Sequence, residues 1–500
     1  MLFNSYAFLF VFLPITWVLF RFACSRHVTD VAIAVLTVAS LAFYSYWNPP
    51  FVFLILFSIL FNYSWGRIIE KSIDRGKSGK AWLYVGVAVN LCLIGYFKYA
   101  NFIMSNAAWL GGWSWTTRDI FLPLGISFFT FQQIAYLIDC SRGLAKEHAF
   151  THYALFVTFF PQLIAGPIVR YDQIMPQFSR LRTFGLSYRN LAMGVTLLTL
   201  GLFKKLVIAD TLSPWVAAVF DGSDTVTFFE GWAGALCYTF QIYFDFSGYS
   251  DMALGLGRMF NIDLPINFDS PYKATSIIDF WRRWHISLST FLRDYLYIPL
   301  GGSRKGSMRR YANLMTTMLL GGLWHGASWN FVVWGGLHGL FLSINHVFRS
   351  VFPRRDGRPS FLSRVLSWGL TFPSVVVAWV FFRATTFSRA WDILGGMFGF
   401  NGAVLPPNYM PIAAGRRILE ALGVDFYYPF SWGILNPRKE LLFIFYCFLA
   451  VIVLPNSYEW SKAFFRRKRF RFLWAVVLGG LLGVSVCFLN RISEFLYFQF

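Results

Sequence analysis

Two histidines, His325 and His338, stand inside an apolar run, LLGGLWHGASWNFVVWGGLHG at 319–339. An ionisable side chain at membrane depth is costly and marks a functional site by default. Histidine is also the side chain that takes and returns a proton near neutral pH, the chemistry needed to activate a hydroxyl. Burial alone leaves a second reading equally open, a core histidine satisfied by a hydrogen bond across helices. On a straight helix the two imidazoles stand about 220° apart at about 100° per residue, so they share a site only if Gly321, Gly322 and Gly326 break the helix. A third histidine, His285, lies beside Arg282 and Trp284 in IIDFWRRWHISLSTFLRDY, 277–295. There Ile277, Trp281, Trp284, Leu288, Phe291 and Tyr295 recur every three or four residues, with Asp279, Arg282, Arg283 and Arg293 on other faces. That pattern predicts an amphipathic helix in the membrane interface, with Trp at headgroup depth. On it, His285 reads more readily as a polar residue at the headgroup boundary than as a catalyst.

Other chemistries lack their parts. The sequence has no HExxH, CxxC, GxxxxGK[ST], DxD with QxxRW, or GxSxG, and Asn330 stands where an HxxxxD acyltransferase would have its Asp. The six cysteines are scattered through apolar segments and signal neither a disulfide framework nor a metal site. Proton chemistry by histidine inside a membrane remains, or transport.

The elements that must hold these residues are membrane helices. Of 500 residues, 56% are hydrophobic, 20% aromatic and 14% charged. A span takes about 20 apolar residues, and the chain carries roughly ten or more such runs, which predicts an all-α polytopic bundle in one domain, 1–500. The net charge of +20 does not indicate nucleic acid, because the basic residues cluster between apolar runs, as cytoplasmic loops do. Arg21 and Arg26, the group Arg67 to Lys80, the loop 170–189, and Lys462 with Arg466, Arg467, Lys468, Arg469 and Arg471 are all expected in the cytoplasm. Both termini then lie outside, and the N-terminal run, without a cleavage site, is the first retained span. The segment ALFVTFFPQLIAGPI, 154–168, is short and broken by Pro161, Gly166 and Pro167. Such backbone survives at membrane depth only if buried in protein or lining a cavity, which makes it a candidate wall of a site; a kinked ordinary span is the equal alternative.

Several long motifs then become recognisable together: WHG at 324–326, FWRRWHISLS at 280–289, YFDFSGYSD at 243–251, NFDSPY at 267–272 and FFPQLIAGPI at 159–168. Taken together, over nearly the whole chain, these motifs make the sequence resemble the bacterial membrane-bound O-acyltransferases, and among them those that acetylate alginate or cellulose. The resemblance implies a ring of tilted helices with re-entrant and interfacial elements around a tunnel, in the bacterial inner membrane. It makes His325 the catalytic histidine and gives His285, Trp324, Asn330, His338, Arg282 and Arg283 as tunnel or donor-binding candidates. It implies no bound cofactor and no metal. Acetyl-coenzyme A becomes the expected cytosolic donor, its phosphates met by arginines such as Arg282, Arg283 and Arg304. The expected partners are a periplasmic acetyl-handling protein of the SGNH-hydrolase type, a polysaccharide synthesis and export complex, and membrane lipid. Two other classes stay in view, a secondary transporter or flippase and a non-catalytic scaffold of a secretion complex.

Overall fold

A computed structural model of the chain describes residues 1–146, 149–352, 360–407, 413–427, 437–466, 471–491 and 495–496. Apart from a parallel pair of three-residue strands, Ala403–Leu405 and Val424–Phe426, its regular elements are helices. Among the described residues six helices are long and apolar enough to cross a membrane: Ala7–Ser25, Phe51–Asp74, Lys80–Gly111, Tyr188–Phe220, Trp329–Val351 and Phe361–Arg383. A bent pair, Lys439–Val453 with Ser457–Ala463, would add a seventh.

The count is lower than the ten or more runs the hydropathy suggested, for two physical reasons. Runs read as separate fuse into continuous rods, as 190–203 and 206–220 do in Tyr188–Phe220 through a π-helical stretch at Lys204–Ala209. Other apolar runs form helices too short or too polar to cross alone, among them Thr29–Ser45, Ile126–Ser141 and Phe228–Met259, which carries Glu230, Asp245, Asp251 and Arg258. The helix Phe228–Met259 is 32 residues long and buried on nearly every face from Cys237 to Gly257, and Ile126–Ser141 is buried almost throughout.

Phe228–Met259 is the axis of the fold. Its N-terminus is closed by a capping box in which Glu230 accepts from the Thr227 backbone N–H and hydroxyl. It packs on Tyr188–Phe203 at two reciprocal glycine contacts. A Cβ on Gly194 would lie 2.6 Å from the Gly255 carbonyl oxygen, and one on Gly201 would lie 2.5 Å from that of Gly248. Small residues let membrane helices approach this closely. Asp245 of the same helix accepts from Lys205 Nζ at 2.8 Å, and Lys205 is equally 2.8 Å from Asp210, in a buried triad. The second Asp245 oxygen accepts from the backbone N–H of Leu496, which ties the C-terminal segment to the core.

The loops assigned to one membrane face by charge are neighbours in space. Arg21 donates to the carbonyls of Phe184 and Gly185, and Lys146 lies 3.6 Å from Asp74. Of the basic cluster at 462–471, residues 467–470 lie outside the described residues. The broken segment is the element the proline and glycine pattern indicated. Short helices Phe150–Thr158 and Phe160–Leu163 lead into non-helical backbone, and every residue from Tyr153 to Val169 is buried.

Candidate active site

His325 is the last residue of the helix Gly306–His325, and His338 sits within Trp329–Val351. The chain turns between them: Gly326 is extended, and the Ser328 hydroxyl caps the second helix by accepting from the Asn330 N–H. The two helices therefore form a hairpin in place of one straight rod. Its legs touch at Gly322 and Gly335, where an added Cβ would lie 2.2 Å from the carbonyl oxygens of Phe331 and Met318 respectively. The 220° separation of the straight-helix geometry disappears, and both histidines face the ring of Trp334. Its centroid is 5.1 Å from His325 and 4.8 Å from His338.

A helix that ends inside a protein leaves carbonyls without intrahelical partners. Here they are met from the span Lys80–Gly111. Lys98 Nζ donates to the carbonyls of Trp324 at 2.7 Å and His325 at 3.0 Å, and the Tyr99 hydroxyl donates to Leu323 at 2.8 Å. Lys98 and Tyr99 belong to a π-helical turn, Gly95–Tyr99, a local irregularity frequent at functional positions. Lys98 and His325 line one narrow cavity of about 40 Å³ with Gly125, Ser127, Ile164 and Trp324.

His325 is 4% exposed, with Trp324, Trp334 and Phe382 ring centroids at 4.9, 5.1 and 5.1 Å. His285 is 6.4 Å away, ring to ring, and fully buried. It stands at a break between helices Ile277–Arg283 and Ile286–Leu292, with a left-handed backbone, φ +41°, that non-glycine residues adopt only at a cost. The break is held from outside. The Asn267 carbonyl accepts from the Ile286 N–H, and the Asn267 side chain accepts from the N–H and hydroxyl of Ser287. Ser287 in turn accepts from the Ile168 N–H of the broken segment. His338 Nδ1 accepts from the Trp281 indole N–H at 3.3 Å, which leaves its proton on Nε2.

Residues 84–382 match the sequence model of MBOAT, the membrane-bound O-acyltransferase family. The chain belongs to the membrane-bound O-acyltransferase family. It is a multi-pass membrane acyltransferase, as the resemblance led us to expect. It is 43% identical over 432 residues to a peptidoglycan O-acetyltransferase of Helicobacter pylori, covering 81% of each chain. It is 44% identical over 405 residues to a probable alginate O-acetylase, AlgI, of Azotobacter vinelandii, covering 80% of this chain and 78% of that one. A teichoic acid D-alanyltransferase of Streptococcus thermophilus is 29% identical over 241 residues, 46% of this chain and 58% of its own.

Within this membrane-bound O-acyltransferase the sequence-derived candidates separate. His325, Trp324, His285 and His338 come together. Trp324 stacks on Phe131 at 5.3 Å and stands 5.9 Å from Lys98 Nζ, so it forms a wall of the cavity. Asn330 is buried and donates to the Ala384 carbonyl at 2.7 Å, fastening the hairpin to the helix that carries Phe382. Arg282 and Arg304 are exposed, while Arg283 is bound to Asp279 at 2.9 Å and to the Asp269 carbonyl at 3.2 Å; none of the three lines the cavity. The single amphipathic helix expected over 277–295 is broken at His285. It is two short helices with Trp281, Trp284 and Leu288 buried against protein, because the apolar stripe read as facing lipid is covered by Trp334, His338 and Trp379. Lys98 escaped the sequence reading. Its signal is a lone lysine closing the apolar run 81–98, a charge at membrane depth that is read easily as an anchor.

Proposed function

We propose that this chain is an inner-membrane O-acetyltransferase that takes acetyl groups from acetyl-coenzyme A on the cytosolic side for O-acetylation of an exported polysaccharide. One observation carries the reading: the His325 imidazole is buried in an aromatic box at the end of a broken helix, on a cavity it shares with Lys98. That His325 environment suits a base that must work away from bulk water. The acceptor hydroxyl oxygen attacks the acetyl carbonyl carbon while His325 takes the hydroxyl proton. The carbon–sulfur bond then breaks, coenzyme A leaves as the thiolate, and His325 returns the proton to it, so the products are the ester and the free thiol. Lys98 keeps the His325 backbone in place throughout.

The acetyl group and the polysaccharide are supported by relatives named for acetylating peptidoglycan and alginate, at 43% and 44% identity. The acceptor hydroxyl belongs either to the polymer or to a serine of a periplasmic partner of the SGNH type that completes the transfer. Purified protein in vesicles, given acetyl-coenzyme A with radiolabelled acetyl, tests the reading. Release of free thiol and labelling of the acceptor that both depend on His325 are expected. Substrate-coupled counterflow that survives loss of His325 would instead make the protein a transporter, and unchanged polymer acetylation in cells carrying a His325 variant would make it a scaffold.

A further inference from the structure

A second cavity, of about 300 Å³, lies where the loop 177–187 meets the end of the long helix Phe228–Met259. It shares no lining residue with the cavity at His325. Three guanidinium groups line it, those of Arg180, Arg182 and Arg258, against one carboxylate, Asp263, which Arg258 already binds. Among the described residues the side chains of Arg180 and Arg182 have no hydrogen-bond or ion-pair partner. The cavity therefore holds an excess of two positive charges.

Orienting charges need only sit in a basic loop, but these sit on a fixed frame. Gln177 clamps the Asp263 backbone in both directions, donating to its carbonyl at 2.9 Å and accepting from its N–H at 2.8 Å. Asn261 has a left-handed backbone, φ +59°, and its side chain donates to the carbonyls of Thr183 and Gly185 while accepting from Asn190 at 3.0 Å. Arg21 holds Phe184 and Gly185 from the other side. A left-handed asparagine, two sets of side-chain bonds to the backbone of residues 183–185 and the Gln177 clamp on Asp263 define a concavity with its arginines at the rim. The N-terminus of Tyr188–Phe203, capped by Ser187, opens on the same space and adds its dipole to the positive field.

We propose that this cavity binds a phosphate-bearing ligand on the face that the basic loops assign to the cytoplasm. Guanidinium groups bind phosphate oxygens in pairs, and Ser187 and Asn190 offer neutral polar groups beside them. The same chemistry is presented by a soluble nucleotide such as coenzyme A and by the headgroup of an anionic lipid. On its nucleotide arm the proposal rests on the donor reading above, but its test reads binding alone and can fail while transfer at His325 stands.

The purified protein and an R180Q/R182Q double variant, both side chains exposed and outside the core, would be compared in two assays. Titration with coenzyme A and with inorganic pyrophosphate reads the nucleotide arm, and native mass spectrometry of protein in phosphatidylglycerol or phosphatidylcholine nanodiscs reads the lipid arm. Both samples are first shown to melt at the same temperature. Loss of two charged donors should weaken the bound ligand by about tenfold or more, and the wild-type affinity should fall as salt rises. Weakened coenzyme A binding with unchanged lipid retention supports the nucleotide source; the reverse supports the lipid. If neither ligand binds, or the variant binds both as wild type does, the proposal is overturned.

Discussion

Lys98 Nζ donates to the backbone carbonyl of His325 across 3.0 Å, so a residue of the third apolar span fixes the end of the helix that carries the proposed base. The same ammonium bonds the Trp324 carbonyl, and through it the wall of the cavity.

Lys98→Met should keep much of the apolar stem and lose every donor. With two helix-terminal carbonyls released, the imidazole shifts, and a displacement of about 1 Å at a reacting group costs on the order of 10² in rate. The expected result in membranes with matched protein levels is a fall in kcat with little change in KM. A variant with wild-type kcat would mean that Tyr99 alone holds the helix end.

The hairpin should depend on Gly335 and not on its neighbour. A Cβ at Gly335 meets the Met318 carbonyl oxygen at 2.2 Å, whereas one at Gly336 meets only a Leu319 methyl at 3.5 Å. Gly335→Ala is expected to lower stability by about 1–3 kcal/mol through forced separation of the helices, and Gly336→Ala to leave the detergent melting temperature nearly unchanged. Equal effects at the two positions would contradict the packing.

How much of this was legible in the sequence differs residue by residue. The burial of His325 and the buried, broken character of 154–168 were legible as polar and irregular groups placed inside apolar runs, whereas the catalytic role of His325 came from the family resemblance. His285 was misplaced because the three-to-four spacing of Trp281, Trp284, Leu288 and Phe291 records an apolar stripe without recording whether lipid or protein covers it. His325 and His338 looked separate because periodicity assumes a continuous helix, and the turn at Gly326 to Ser328 is short enough to hide within an apolar run. Lys98 was passed over because a single lysine at the end of a span has the appearance of an orientation signal.

The burial of Trp284 turns the corrected geometry into a stability prediction. Its ring packs on Trp379 at 4.9 Å and Phe280 at 5.7 Å and is 3% exposed. Trp284→Ala should cost about 3–5 kcal/mol, the range for removing a buried aromatic, and a melting curve in detergent reads it. A change well under 1 kcal/mol would return the ring to the lipid interface.

Lys205 stands between Asp210 and Asp245 at 2.8 Å from each, with the three side chains largely shielded from solvent. Lys205→Ala leaves two carboxylates together without their cation, and removing one partner of a buried ion pair costs about 3–5 kcal/mol. The variant is expected to accumulate poorly and to expose its C-terminal segment to protease, since Asp245 also receives Leu496. Normal accumulation and protease resistance would remove the triad from the stabilising core.

If the His325 imidazole accepts a proton, His325→Gln must lose transfer, because glutamine keeps comparable volume and hydrogen-bonding groups but cannot act as a base near neutral pH. The measurement is acetyl transferred to partner or polymer by membranes holding equal amounts of folded protein. A loss on the order of 10²–10⁴ with the melting temperature preserved is expected, and a smaller loss for His338→Gln. Transfer by His325→Gln at close to the wild-type rate would contradict proton acceptance by His325.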